Sequence, residues 1–138
     1  MNAIFLTTEA LRDEWWSRAE PHIETVATEA ARGEFTAQDI KQRCGEGKAI
    51  TAVVVDGDSV VMAMAFEFIY YPQITACNII ALGGKRIKEI EEQFFITFKS
   101  WCYGMGVTVI EASCSSAMTR LLRQFGFEKT YEVVRLKL

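Results

Sequence analysis

One histidine, two prolines and four unpaired-looking cysteines in 138 residues rule out a good deal of chemistry. A structural zinc site needs four Cys or His ligands at short spacing. His22 has no Cys-x-x-Cys pair to join, so no metal is expected. A Cys/His nucleophile needs an imidazole beside the thiol, which His22 could supply only through tertiary proximity. Cys44, Cys77, Cys102 and Cys114 each fall within an expected element and read as buried or half-buried thiols of a reducing compartment. Long apolar runs are also missing. None reaches the roughly 18 residues of a membrane span. Met1–Phe5 lacks a basic region followed by an apolar core, so no secretory signal is read. No membrane partner and a cytoplasmic location are expected. Excess charge is lacking too: the formal net charge is −3, which gives no electrostatic reason to expect nucleic acid. Lys85, Arg86 and Lys88 are followed at once by Glu89, Glu91 and Glu92, as at the solvated start of a helix.

What is present is an ordered alternation of strand and helix patterns, which predicts one mixed α/β domain over residues 1–138. Asn2–Leu6 reads as a short strand. Thr7 or Thr8 caps a helix with Leu11, Trp15, Ala19, His22, Val26 and Ala30 on one face. Pro21 should kink or divide it. Trp15 fits this stripe, which leaves Trp16 at an edge or an interface. Thr36-Ala37-Gln38-Asp39 carries a capping signal for a second, short helix ending near Cys44 and Gly45. Ala49–Val55 and Ser59–Tyr70 form a hairpin about Asp56-Gly57-Asp58. Ile74–Leu82 is a buried strand ended by Gly83-Gly84. From Arg86 to Tyr103 a helical stripe runs through Ile87, Ile90, Phe94, Phe98 and Trp101, continuing to Met105. Gly104 and Gly106 stop it. Val107–Ala112 is a further strand. Ser115 or Ser116 caps a helix bearing Leu121, Leu122 and Phe125. Lys129–Leu138 alternates Tyr131, Val133, Arg135, Lys137 against Glu132, Val134, Leu136, Leu138, as a last strand would.

This order, and above all the stretch from Arg86 to Gly126-Phe127, resembles the acyl-CoA N-acyltransferase (GNAT) family. The resemblance implies a mixed central sheet whose fourth and fifth strands, here Ile74–Leu82 and Val107–Ala112, are parallel, joined by a right-handed crossover, and splay apart to hold the pantetheine arm of acetyl-CoA. If that cofactor binds, Ile80, Leu82, Gly83, Gly84, Lys85 and Arg86 would line it. The family's pyrophosphate loop, [Q/R]-x-x-G-x-[G/A], opens the long helix, where free N–H groups and the helix dipole favour phosphate. Two registers fit. One, anchored on Gly106 and on Phe94-Phe95, puts Arg86 on the first position and Ile90 between glycine positions occupied by Glu89 and Glu91. The other takes Gly83-Gly84-Lys85-Arg86 as a shorter cradle. The first is preferred, so tight binding of acetyl-CoA is not expected.

The family's proton donor is a tyrosine before the Gly-Phe pair. Counting back from Gly126-Phe127, Leu122 stands there, with Leu121 matching the leucine, Met118 the alanine and Ser115 the asparagine. Leucine cannot donate a proton. No acid lies on Ile74–Leu82, and the strand carboxylates near the expected cleft are Glu67 and Glu111. Glu67 should face away from Phe66 and Phe68. Small GNAT-like proteins of tailed bacteriophages share a Leu-x-Gly-Lys turn and a leucine for the tyrosine, and Leu82-Gly83-Gly84-Lys85 with Leu122 is similar. The expectation is therefore a degenerate GNAT-like protein of phage type. It would act by binding or assembly, through an unknown partner or self-association, in host cytoplasm or virion. The alternative is an active acetyl-CoA-dependent N-acetyltransferase on an unknown amine.

Overall fold

Near-continuous apolar runs in the strands of residues 50–84 leave two faces to bury, and helices on both sides meet that demand. The computed structural model describes residues 1–85 and 87–138, with 87–91 described by backbone alone. Five strands form one sheet in the order β1 (Asn2–Phe5), β2 (Ile50–Asp56), β3 (Ser59–Tyr70), β4 (Thr75–Gly84) and β5 (Val109–Ala112). β1 to β4 pair antiparallel. β5 lies parallel to β4 and is reached through α3 (Ile87–Gly104). Helices α1 (Glu9–Glu29) and α2 (Ala37–Gly45) cover one face. α3 and α4 (Ser116–Arg123) cover the other. No helix among the described residues is long and apolar enough to cross a membrane.

The two faces differ in side-chain size. Toward α1 and α2 the sheet presents Val53, Ala63, Ala65 and Ala81 against Ala19, Ile23 and Ile40. Toward α3 it presents Met62, Met64 and Phe66 against Phe94, Phe95 and Phe98. The rings of Phe66 and Phe98 meet edge-on at 5.2 Å, and Phe95 stacks on Phe125 at 4.9 Å. Thr36 forms the expected capping box: its Oγ1 accepts from the Asp39 amide at 3.1 Å, while Asp39 Oδ2 accepts from the Thr36 amide at 2.9 Å. Ser115 caps α4 in the same sense.

Several expectations need correcting. α1 runs through Pro21 as one helix and buries Trp16, Ala19 and Ile23. Trp16 is in the core, and Trp15 is half-buried beneath the Arg18 guanidinium, 4.0 Å from the ring centroid. The stripe through Trp16, Ala19 and Ile23 shares only Ala19 with the expected one. The fold takes the one that buries Ile23 and leaves His22 free to donate from Nε2 to the Val60 carbonyl at 2.8 Å. Gly83 and Gly84 are the last two residues of β4 and pair with Ala63 and Met62, so the strand runs two residues past Leu82 and ends at Gly84. Met105 is exposed beyond α3, where Phe95 and Cys102 are buried instead. Cys114 is exposed in the loop before α4, unlike the buried Cys44, Cys77 and Cys102. Residues 128–138 form no strand: they carry no regular secondary structure, and Tyr131, Val133, Val134, Leu136 and Leu138 are exposed. The expected burial of Ile87 and Ile90 falls on side chains outside the described residues, as do Arg86, Glu89 and Glu91 in the pyrophosphate-loop register.

Candidate functional site

The cleft is built by the ending of one strand beside another that continues. β5 pairs with β4 only from Ala76↔Val109 to Ile79↔Ala112. The next β4 residue, Ile80, is an extra residue in the ladder with β3, where Phe66 pairs with Ile79 and Ala65 with Ala81. Such a bulge bends its strand and ends local pairing. It also turns Ile80 and Ala81 to the same face, and both pack with the α1/α2 cluster. From Ile80 onward β4 has β3 on one side and no β5 on the other.

The phase of the hydrogen bonds identifies what lines this opening. The Lys85 amide donates to the Val61 carbonyl at 3.1 Å. In an antiparallel ladder alternate residues turn their N–H the same way, so Ala81, Gly83 and Lys85 face β3. Leu82 and Gly84 then turn N–H and C=O toward the opening. This edge can accept an extended ligand that carries amides, as an added strand would.

The glycines themselves have a packing role. A Cβ on Gly83 would lie 2.6 Å from the His22 carbonyl oxygen and 3.0 Å from Val26 Cγ2, and one on Gly84 would lie 2.5 Å from the Val61 carbonyl oxygen. Their small size is required by α1 and β3 whether or not a phosphate approaches. Neither has the positive φ that marks Gly33, Gly57 and Gly126. Lys85 is exposed.

One row of polar side chains crosses the sheet just below the bulge. Glu67 pairs with Asn78, and Asn78 pairs with Glu111. Strands lie about 4.8 Å apart, so the two carboxylates flank Asn78 on one face, two strand spacings from each other. Phe66 and Phe68, and likewise Ile110 and Ala112, turn to the opposite face. Glu67 is drawn toward Arg43 of α2 at 3.8 Å. Glu111 Oε1 accepts the Tyr71 hydroxyl proton at 2.7 Å. That bond first, and then slight desolvation and the Glu111 charge, raise the Tyr71 pKa above its ordinary value. The sequence reading missed Tyr71, since nothing local points to a partner 40 residues away. Leu122, at the tyrosine position of the GNAT pattern, is 4% exposed within the aromatic core. Among the described residues no group of three or more His, Cys, Asp or Glu could hold a metal ion.

No family model matches this sequence, and no curated protein matches it. Solved structures do match in fold. The chain is similar to the aminoglycoside antibiotic 6′-N-acetyltransferase of Acinetobacter haemolyticus, with TM-score 0.68 and 12% identity over 100% of this chain and 98% of that one. It is similar to the ribosomal-protein-alanine N-acetyltransferase of Brucella melitensis, with TM-score 0.74 and 11% identity over the whole of both chains. A predicted acetyltransferase of Clostridium acetobutylicum, solved with acetyl-CoA, matches with TM-score 0.62 and 13% identity over 99% of this chain and 95% of that one. The chain has the GNAT fold.

Proposed function

We propose that this GNAT-fold chain has lost acyl transfer and acts by binding or assembly, as a protein of phage type. The observation that carries the reading is Leu122. The side chain at the family's tyrosine position is sealed in the core and can give no proton to a leaving thiolate. The packing demand on Gly83 and Gly84 supports it further, since those glycines need no ligand to account for them. The open edge at Leu82 and Gly84 fits a pantetheine amide arm, which would present the acetyl thioester near Ile80. Lys85 and Arg86 are then the cations nearest in sequence to the pyrophosphate. Glu89 and Glu91 in the preferred register oppose it. A like charge at about 4 Å costs on the order of a few kcal/mol near a surface, and each 1.4 kcal/mol is about tenfold in affinity. Acetyl-CoA should therefore bind weakly or not at all. Calorimetric titration at low salt tests this. Micromolar binding that vanishes in Lys85→Glu would overturn the reading. In a phage setting the chain would reside in host cytoplasm or virion, which mass spectrometry of purified particles would detect.

A second reading has one specific observation in its favour, the Glu67–Asn78–Glu111 row beside the bulge. Either carboxylate could take a proton from an amine attacking a thioester at the opening. Under this reading the chain is an acetyl-CoA-dependent N-acetyltransferase. Release of free CoA in the presence of an amine, lost in Glu67→Gln or Glu111→Gln, distinguishes it. An aminoglycoside is a rational first amine, because it is the acceptor class in one structural neighbour's name.

A further inference from the structure

A groove between α1 and α2 stands apart from the cleft. Its volume is about 460 Å³, within the roughly 300–1,000 Å³ of small-molecule sites. Glu9, Arg12, Asp13 and Trp16 line it from α1. Their spacing of i, i+3, i+4 and i+7 puts them on one face of that helix. Lys41, Cys44 and Gly45 line it from α2 with matching spacing. None of Glu67, Asn78, Glu111, Leu82 and Gly84 takes part. Gly45 leaves the space open, since a Cβ there would meet nothing within 4 Å. Cys44 closes part of the floor, its Sγ 3.3 Å from Thr51 Oγ1.

Two features of this groove are left over by the fold. The first is a buried donor. Trp16 is 6% exposed, and among the described residues its indole N–H donates to no protein group. A buried indole N–H ordinarily has a hydrogen-bond partner. The second is charge. Arg12 and Lys41 bring positive charge to the rim, and Glu9 and Asp13 bring as much negative charge. Among the described residues none of these four side chains is in an ion pair or a hydrogen bond. The rim is neutral in sum and charged in detail. A simple anion or cation gains little net attraction there, whereas a ligand carrying both charges finds a partner for each.

We propose that the groove between α1 and α2 binds a free α-amino acid. The ligand carboxylate accepts from the Trp16 indole N–H and pairs with Arg12 or Lys41. Its ammonium pairs with Glu9 or Asp13. Both are charge-assisted contacts, the stronger class of hydrogen bond. The ligand side chain lies toward Gly45, where the space is free. The interior of a peptide carries neither backbone charge, so the chemistry selects a free amino acid over a chain segment. Because the groove shares no residue with the cleft, this site serves an active or a silent protein alike.

Heteronuclear NMR of the full chain tests it. The reporter is the Trp16 indole N–H signal, assigned by its loss in Trp16→Phe. The common L-amino acids are added one at a time at millimolar concentration. At least one should shift that signal in a saturable way. Its N-acetyl derivative and its methyl ester each lack one charge, so each should bind about tenfold more weakly or worse, as loss of a charged hydrogen bond implies. Trp16→Phe keeps a ring in the core and removes the donor, and calorimetry should show weaker binding to it. Gly45→Gln places a good helix former in the open space. It should abolish binding while the melting temperature holds or rises. The proposal is overturned if no amino acid shifts the indole signal. It is equally overturned if the acetylated or esterified form binds as tightly as the parent, or if binding survives Gly45→Gln.

Discussion

Replacing Gly83 with alanine separates a glycine kept for packing from one kept for a ligand. The added methyl would start 2.6 Å from the His22 carbonyl oxygen and 3.0 Å from Val26 Cγ2. The first neighbour is backbone in the middle of α1 and cannot rotate away. Either α1 lifts from Ala63, Ala65 and Ala81, or β4 shifts within the sheet. Overpacking of this kind costs about 1–3 kcal/mol. Alanine also restricts the unfolded chain, which returns about 0.4–1 kcal/mol. The contact is with backbone, so the upper part of the range applies, and a net loss of about 1–2 kcal/mol is expected. A domain of this size loses roughly 3–5 °C per kcal/mol, between the values for smaller and larger domains. The melting temperature should fall by about 3–10 °C. Gly104→Ala is the control: it meets nothing within 4 Å and its φ is not positive, so it should melt like the parent or slightly higher. Urea and thermal melts of the two variants give the answer. A Gly83→Ala protein as stable as the parent would refute the packing argument. Loss of acetyl-CoA binding without loss of stability would assign the glycine to a ligand.

Three further outcomes rest on the burial pattern. Trp16→Ala should cost about 3–5 kcal/mol in urea melts, and Trp15→Ala clearly less, because only Trp16 is in the core; equal costs would refute the assignment. In the native state a disulfide-exchange reagent should modify Cys114 first, while the buried Cys44, Cys77 and Cys102 wait for unfolding; rapid modification of two or more thiols would contradict the fold. Burial, the largest influence on Cys44, raises its pKa. The unfolded chain therefore releases that proton first. The stability from this group is whole below the unfolded thiol value of about 8.5 and declines as pH rises through the folded value.

Local signals were legible wherever local physics decides. The capping box at Thr36 and Asp39, the strand Ser59–Tyr70 and the cap at Ser115 stand as the residues announce them. The parallel pairing of the two strands flanking α3 agrees with what the family resemblance implies. The choice between Trp15 and Trp16 was not legible. Two stripes are equally periodic, and what separates them is a Val60 carbonyl 38 residues from His22. Gly83-Gly84 carried the signature of a strand terminator, whereas its cause is the approach of α1 and β3. The bulge at Ile80 has no glycine or proline to betray it; it appears only when β3 is laid alongside. For the site, Glu67 and Glu111 were visible as strand carboxylates. Their alignment through Asn78 depends on register, and Tyr71 enters only through the turn between β3 and β4.

The difference between the two faces of the sheet bears on how this chain can drift in sequence. On the side of α1 small residues are many, with Ala63, Ala65 and Ala81 clustered with Ala19 and Ile23 and Gly83 close against α1. Gly83 there cannot gain a methyl without meeting the α1 backbone. On the side of α3 volume is shared among Phe66, Phe94, Phe95, Phe98, Met62 and Met64. A ring lost at one position can be matched by a larger neighbour at another, since cores tolerate swaps that conserve total volume. Lineages of this fold should therefore hold small residues fixed against α1 and exchange large ones freely against α3. The cleft edge at Leu82 and Gly84 lies between a face that cannot change and one that can.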